Sequence, residues 1–131
     1  MKVKCLATSL TAQQKAALGL MDNQDPQYPY TIGQIYTVLA MSSKVGVNAG
    51  TLLQLPKIPM DYIISVPLCI FDIVDGRPSS YWKIEKLSEY EISLWPEEFY
   101  REYFHDDLSD GDPEVVEIFK RVVDKLEKEF D

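Results

Sequence analysis

The sequence predicts an α+β domain: a bent antiparallel β-sheet, or partly open SH3-like barrel, carrying a short helix and packed by a C-terminal amphipathic helix. Three observations predict it. Apolar segments of strand length recur at short spacing from Lys2 to Leu94, punctuated by Gly, Pro and Asn turns. Asp112-Pro113 then opens a run in which Val115, Phe119, Val122, Leu126 and Phe130 recur at spacings of three and four. A chain of 131 residues has the length of one domain, long enough to bury a core without disulfide or metal staples. The β-rich body is placed at about residues 1–94 and a helical, acidic part at about 95–131.

Each element has a local reason. In Lys2 to Ser9 the lysines alternate with Val3, Cys5 and Ala7, the pattern of a half-buried strand. Thr11 and Gln14 form a capping-box pair that starts a helix over about Ala12–Met21, weakened late by Gly19. Asp22 to Tyr30 has two prolines and no periodicity, so it is a loop. Gln34 to Ser42 carries apolar groups on both faces and predicts one central strand. Ser43 to Gly50 is a turn and Thr51 to Leu55 its returning strand; Pro56 and Pro59 mark a bend or edge. Strands follow at Asp61–Val66, Leu68–Val74, Ser80–Lys86 and Glu89–Leu94, with a turn at Asp75-Gly-Arg-Pro78. These segments predict five to seven strands.

From Trp95 to Glu114 the chain combines aromatic anchors with a dense set of carboxylates. Pro96 at a first helical position, followed by Glu97 and Glu98, predicts a short helix. Phe99 with Tyr103, and Tyr100 with Phe104, would pair on its aromatic face, while Glu98, Glu102 and Asp106 line up four apart. Asp112 as N-cap, Pro113 at N1 and Glu114 in the first turn start the last helix, which runs to about Phe130.

Hydrophobic residues at 46% and charged residues at 26% give a globular composition with a formal net charge of −8. The charge is uneven. Residues 1–84 hold seven Lys/Arg and five Asp/Glu, net +2; residues 85–131 hold six and 16, net −10. An acidic half repels phosphate backbones, which argues against direct nucleic-acid binding, and attracts basic proteins. Cys5 and Cys69 lie too far apart for a metal or redox motif and read as buried free thiols. No apolar run suits a signal peptide or a membrane span, so no membrane contact is expected and the cytoplasm is the simplest compartment.

Catalytic chemistry finds no foothold. Counting from Asp106, residues Asp110, Gly111, Asp112 and Glu117 fall where a calcium loop needs them, but Leu108 cannot ligate and Pro113 interrupts the loop. Asp72 sits in an apolar run, yet strand alternation turns it outward. His105 is the only histidine and has no Ser or Cys partner in a nucleophilic motif. The six glycines are scattered at turns and form no phosphate loop. The sequence therefore predicts no catalytic residue, no metal and no cofactor.

Three pieces carry a resemblance: Ile32-Gly-Gln-Ile-Tyr-Thr-Val38, then Phe71-Asp-Ile-Val-Asp-Gly-Arg-Pro-Ser-Ser-Tyr-Trp82, then Asp107-Leu-Ser-Asp-Gly-Asp-Pro-Glu114. In order and spacing they resemble small acidic bacterial immunity-type proteins, which neutralise toxins of contact-dependent inhibition or other polymorphic toxin systems. The resemblance covers about residues 30–114 and rests on structural motifs. It implies a cytoplasmic, non-enzymatic protein that binds a toxin domain, a basic nuclease fitting the charge best. The expected docking residues are Glu98, Tyr100, Glu102, Tyr103, Asp106, Asp107 and Asp110, because aromatic anchors rimmed by charge are what interfaces use. The alternative is a small enzyme or ligand-binding β-barrel using an aromatic cleft near Trp82 and Trp95. A third reading is a structural adaptor without a toxin.

Overall fold

The computed structural model describes residues 1–46, 49–57 and 60–131. It is α+β, with two antiparallel sheets and no closed barrel. Its elements are β1 (Lys2–Cys5), α1 (Ala12–Ala17), β2 (Ile35–Thr37), β3 (Ala40–Lys44), β4 (Gly50–Pro56), β5 (Ile63–Pro67), β6 (Phe71–Asp75), β7 (Trp82–Ser88), β8 (Glu91–Pro96), α2 (Phe104–Ser109) and α3 (Pro113–Lys128). Short 3₁₀ turns cover Leu68–Ile70 and Glu97–Tyr100. The smaller sheet has the order β2-β1-β6 and the larger β5-β4-β3-β8-β7.

The predicted single strand from Gln34 to Ser42 is divided between the two sheets. Ile35–Thr37 pairs with β1, whereas Ala40–Lys44 lies at the centre of the five-stranded sheet. Val38 and Leu39, both fully buried, make the crossing, and each joins a different core. This explains why both faces of the segment read as apolar: its two halves bury different sides. The bend predicted within one sheet is thus a passage between two.

Register shows what each face of the larger sheet meets. Met41 pairs with Leu53, and both pack with Val3, Cys5, Val38, Leu55, Val66 and Ile70 in the core beneath the smaller sheet. Ala40 pairs with Gln54, one residue on, so both point to the opposite face. There Phe99, Phe104, Leu108, Val115, Phe119, Val122 and Leu126 form the second core. The molecule is a three-layer stack: small sheet, large sheet, helices.

The helix caps are where the sequence places them. Thr11 and Gln14 make both bonds of the capping box, and Oδ1 of Asp112 accepts from the amides of Glu114 and Val115. α1 stops at Ala17, four residues short of the predicted Met21, and Gly19 follows at φ +74°. Across from this end, Gly50 leaves room that a side chain would fill: an added Cβ would meet Leu18 Cδ2 at 2.8 Å. β3 and β4 flank the predicted turn at residues 43–50, whose tip at 47 and 48, like Pro59, lies outside the described residues. Both cysteines are free, but only Cys5 is buried; Cys69 is exposed on the 3₁₀ turn, contrary to expectation, because that turn rotates it away from Ile70 and the core. Asp72 is exposed as expected, but not through alternation, since Ile73 and Val74 after it are exposed as well.

Candidate functional site

The aromatic and acidic segment after Pro96 does not form the predicted helix. A 3₁₀ turn ends at Tyr100, Arg101 is extended, and Tyr103 adopts left-handed backbone at φ +60°, ψ +19° before α2 begins. The reason is packing. At about 100° per residue, a continuous helix would set Phe99 and Phe104 roughly 140° apart. The break brings both into one core, where their rings stack with centroids 4.9 Å apart. The predicted pairs Phe99/Tyr103 and Tyr100/Phe104 are not formed as helical neighbours, and the stripe Glu98, Glu102, Asp106 is dispersed.

The structure sorts the seven expected docking residues into two groups. Glu98 and Tyr100 turn inward. The Glu98 carboxylate meets Lys125 Nζ at 2.7 Å across to α3. Burial opposes its charge, but the hydrogen bond from Lys125, a backbone hydrogen bond and the charges of Lys125 and Arg121 together outweigh this and hold its pKa below the ordinary value. Tyr100 stacks on Trp95, with centroids 4.8 Å apart. Its hydroxyl donates to the Lys83 carbonyl at 2.7 Å and lies 2.8 Å from Ser93 Oγ, itself fully buried. These two residues fasten the segment to the sheet and to α3.

Tyr103, Glu102, Asp106 and Asp110 turn outward, and Asp107 is half-buried. Tyr103 is 66% exposed. Its backbone conformation is uncommon for a residue other than glycine, and the packing of Phe99 and Phe104 on either side holds it there. Beneath it lies an open cleft of ≈430 Å³ bounded by Trp95, Tyr100, Tyr103 and His105, with the carboxylates of Glu85 and Asp106 on its rim. Among the described residues, neither carboxylate has an ion pair.

His105 closes the floor. Its ring lies 5.2 Å from that of Trp95, 5.6 Å from Phe99 and 5.7 Å from Phe104. Nε2 lies 2.9 Å from Oε1 of buried Gln54. Desolvation lowers its pKa below the ordinary histidine value, opposed by the charge of Asp106. The hydrogen bond to Gln54 and the three rings around it fix the imidazole in the helical core. No local pattern signals the Gln54 contact, which joins residues 51 positions apart.

The two tryptophans do not share a cleft. Register pairs Trp82 with Pro96 and Lys83 with Trp95, so the indoles leave opposite faces of the β7–β8 hairpin. Trp82 packs on the core beneath the smaller sheet and donates Nε1 to the Leu39 carbonyl at 2.8 Å; Trp95 packs on the helical side. Asp112 uses its carboxylate to cap α3, and no cluster of three or more metal-ligating side chains occurs among the described residues. No helix among them is long and apolar enough to cross a membrane.

One further contact had no sequence signal. Glu129, just past α3, accepts at Oε2 from both the amide and the hydroxyl of Ser80, each at 2.7 Å. Beside it the Arg77 guanidinium lies 4.2 Å over the Phe130 ring. Together they pin the end of α3 to the β6–β7 loop. Comparison with protein-family models, with curated proteins and with solved structures found no match to this chain.

Proposed function

We propose that the chain is an immunity-type inhibitor: a cytoplasmic, non-enzymatic protein that binds a basic toxin domain, a nuclease fitting the charge best, and covers its active site. The observation that carries this reading is Tyr103, an aromatic ring held outward on left-handed backbone beside a cleft with the carboxylate of Asp106 on its rim, Glu102 and Asp110 being exposed on the same segment. Exposed aromatic anchors with a charged rim are the usual source of interface affinity. The order of the three segments that resemble immunity-type proteins supports the same reading: Asp107–Glu114 begins four residues after Tyr103, and Trp82 begins the β7 strand that Tyr100 fastens. Glu98 and Tyr100 act within this proposal as supports.

The test uses a basic toxin domain, to be sought in the reading frame next to the one that encodes this chain. Tyr103→Gly removes the anchor at a position whose positive φ glycine accepts without strain. A second variant carries Glu102→Lys, Asp106→Lys and Asp110→Lys. Both are expected to keep the melting temperature, since exposed charges contribute little to stability, and to lose protection of cells from the toxin. A control with Glu117→Lys, Asp124→Lys and Glu127→Lys on the outer face of α3 is expected to protect fully. Protection kept by both site variants, or lost only in the control, would place the docking face elsewhere.

A further inference from the structure

β7 ends the larger sheet, so a row of its backbone N–H and C=O groups has no neighbouring strand. Among the described residues it is the longest edge strand, with seven residues against three in β2 and five in each of β5 and β6. Every residue from Lys83 to Ser88 is exposed. Cross-strand register sets Val66, Leu53, Met41, Leu94 and Ile84 in one row across all five strands, on the face that the smaller sheet covers. The row is fully buried at Val66 and Leu53 and opens at the edge, where Ile84 is 69% exposed. Ile92, on the same face of β8, is exposed beside it.

Lysines on an edge strand keep most strands away by desolvation and like charge, and β7 carries Lys83 and Lys86. Glu85 changes what a copy of β7 meets. In an antiparallel pair that continues a sheet, residues opposite each other share a face, so a two-fold axis falls at a residue and not between two. An axis at Lys83, Glu85 or Lys86 sets that charge against its own copy, and an axis at Leu87 sets Glu85 against Glu89. An axis at Ile84 sets Ile84 against Ile84, Lys83 against Glu85 twice, and Trp82 against the stem of Lys86. Within the strand, that register alone places opposite charges across from each other and continues the apolar row. Lys83 already meets Glu97 at 3.0 Å, but both side chains are exposed and the ammonium has donors to spare. Glu85 and Lys86 have no ion pair among the described residues.

We propose that β7 pairs with β7 of a second copy of this chain, antiparallel about a two-fold axis at Ile84, so that the two five-stranded sheets become one. The occupant is a second copy because the sequence Lys83-Ile84-Glu85 is complementary to itself when reversed. The contact runs only from Trp82 to Lys86, a small interface, so the dimer is weak and forms as concentration rises. The inference is independent of any toxin and is tested on the chain alone.

Sedimentation velocity of the full chain from about 5 μM to about 500 μM is the measurement, a span suited to the weak association of small interfaces. The wild type is expected to pass from monomer towards dimer. Ile84→Lys, Lys83→Glu and Glu85→Lys should each keep the melting temperature, since all three sites are exposed, and each should weaken the dimer by about tenfold. Lys83→Glu and Glu85→Lys in one chain re-create both opposite-charge pairs and should restore it. The two single variants mixed together should form a mixed dimer, because each supplies the charge that the other lacks, although neither pairs with itself. A wild type that stays monomeric over the whole range would overturn the proposal. So would a dimer that survives the single variants, or a double variant that associates no better than they do.

Discussion

His105 shows how a single residue links fold and solution behaviour. It is enclosed by three aromatic rings and hydrogen-bonded to buried Gln54, and burial lowers its pKa. The folded protein therefore binds its proton less readily than the unfolded chain, whose histidine titrates near pH 6.5. Its contribution to stability is full above that value and is lost as pH falls through it towards the lower folded value. Urea melts of the wild type should show a decline in stability from about pH 7 to 5 that is shallower in His105→Phe. The Met1 amino group, whose pKa burial also lowers, titrates alike in both proteins and cancels in the difference. Parallel pH profiles would mean that His105 charges freely in the folded state. None of this was legible in the sequence, where His105 was a lone histidine near a helix end. Its environment comes from Gln54 and Trp95, and long-range strand pairing leaves no local pattern to read.

Among the elements, legibility followed the range of the interaction that forms them. α3 was legible almost to the residue: cap, proline and apolar spacing are local signals, and its buried side chains are Val115, Phe119, Val122 and Leu126. The helix expected from Pro96 was not. Its sequence satisfies the local rules for helix initiation, but the second core needs Phe99 and Phe104 side by side, and tertiary packing overrode propensity. The docking list divided for the same reason: the break turns Tyr103 out and leaves Glu98 and Tyr100 in. Two substitutions measure how firmly α3 is held. Asp112→Ala removes a side chain that accepts two amide hydrogen bonds and should destabilise the fold by about 1 kcal/mol. Leu126→Ala should cost about 2–5 kcal/mol by opening a cavity in the helical core. Equal, near-zero changes in denaturant midpoint would show that α3 is not docked on the sheet.

At the scale of the whole molecule, the fold separates the proposed binding surface from the residues that support it. The α+β class and the strand positions were legible because hairpin turns and alternation are local. The division into two sheets was hidden in Val38 and Leu39, which read as continuous strand and in fact cross between layers. The sequence showed the charge asymmetry, net +2 before residue 85 and −10 after it, but not its partition in space. Folding consumes much of the acidity internally. Glu98 pairs with Lys125, Glu114 with Arg101, Glu129 accepts from Ser80, and Asp112 caps α3. The carboxylates of Glu102, Asp106 and Asp110 stay exposed on the segment that carries Tyr103, with no ion pair among the described residues. If that face meets a basic toxin domain, the field it projects accelerates encounter, and salt must slow it. The Debye length falls from about 30 Å at 0.01 M to about 8 Å at 0.15 M, so charges that steer from a distance at low salt act only at contact at physiological salt. Stopped-flow association with such a toxin domain should therefore slow by at least about tenfold over that range, with dissociation changing far less. The reversal at Glu102, Asp106 and Asp110 should flatten the salt dependence of the association rate, while Tyr103→Gly should keep the slope and speed dissociation, because an uncharged anchor holds the complex without steering it. A salt slope unchanged by the charge reversal would show that long-range attraction arises from another face of the molecule.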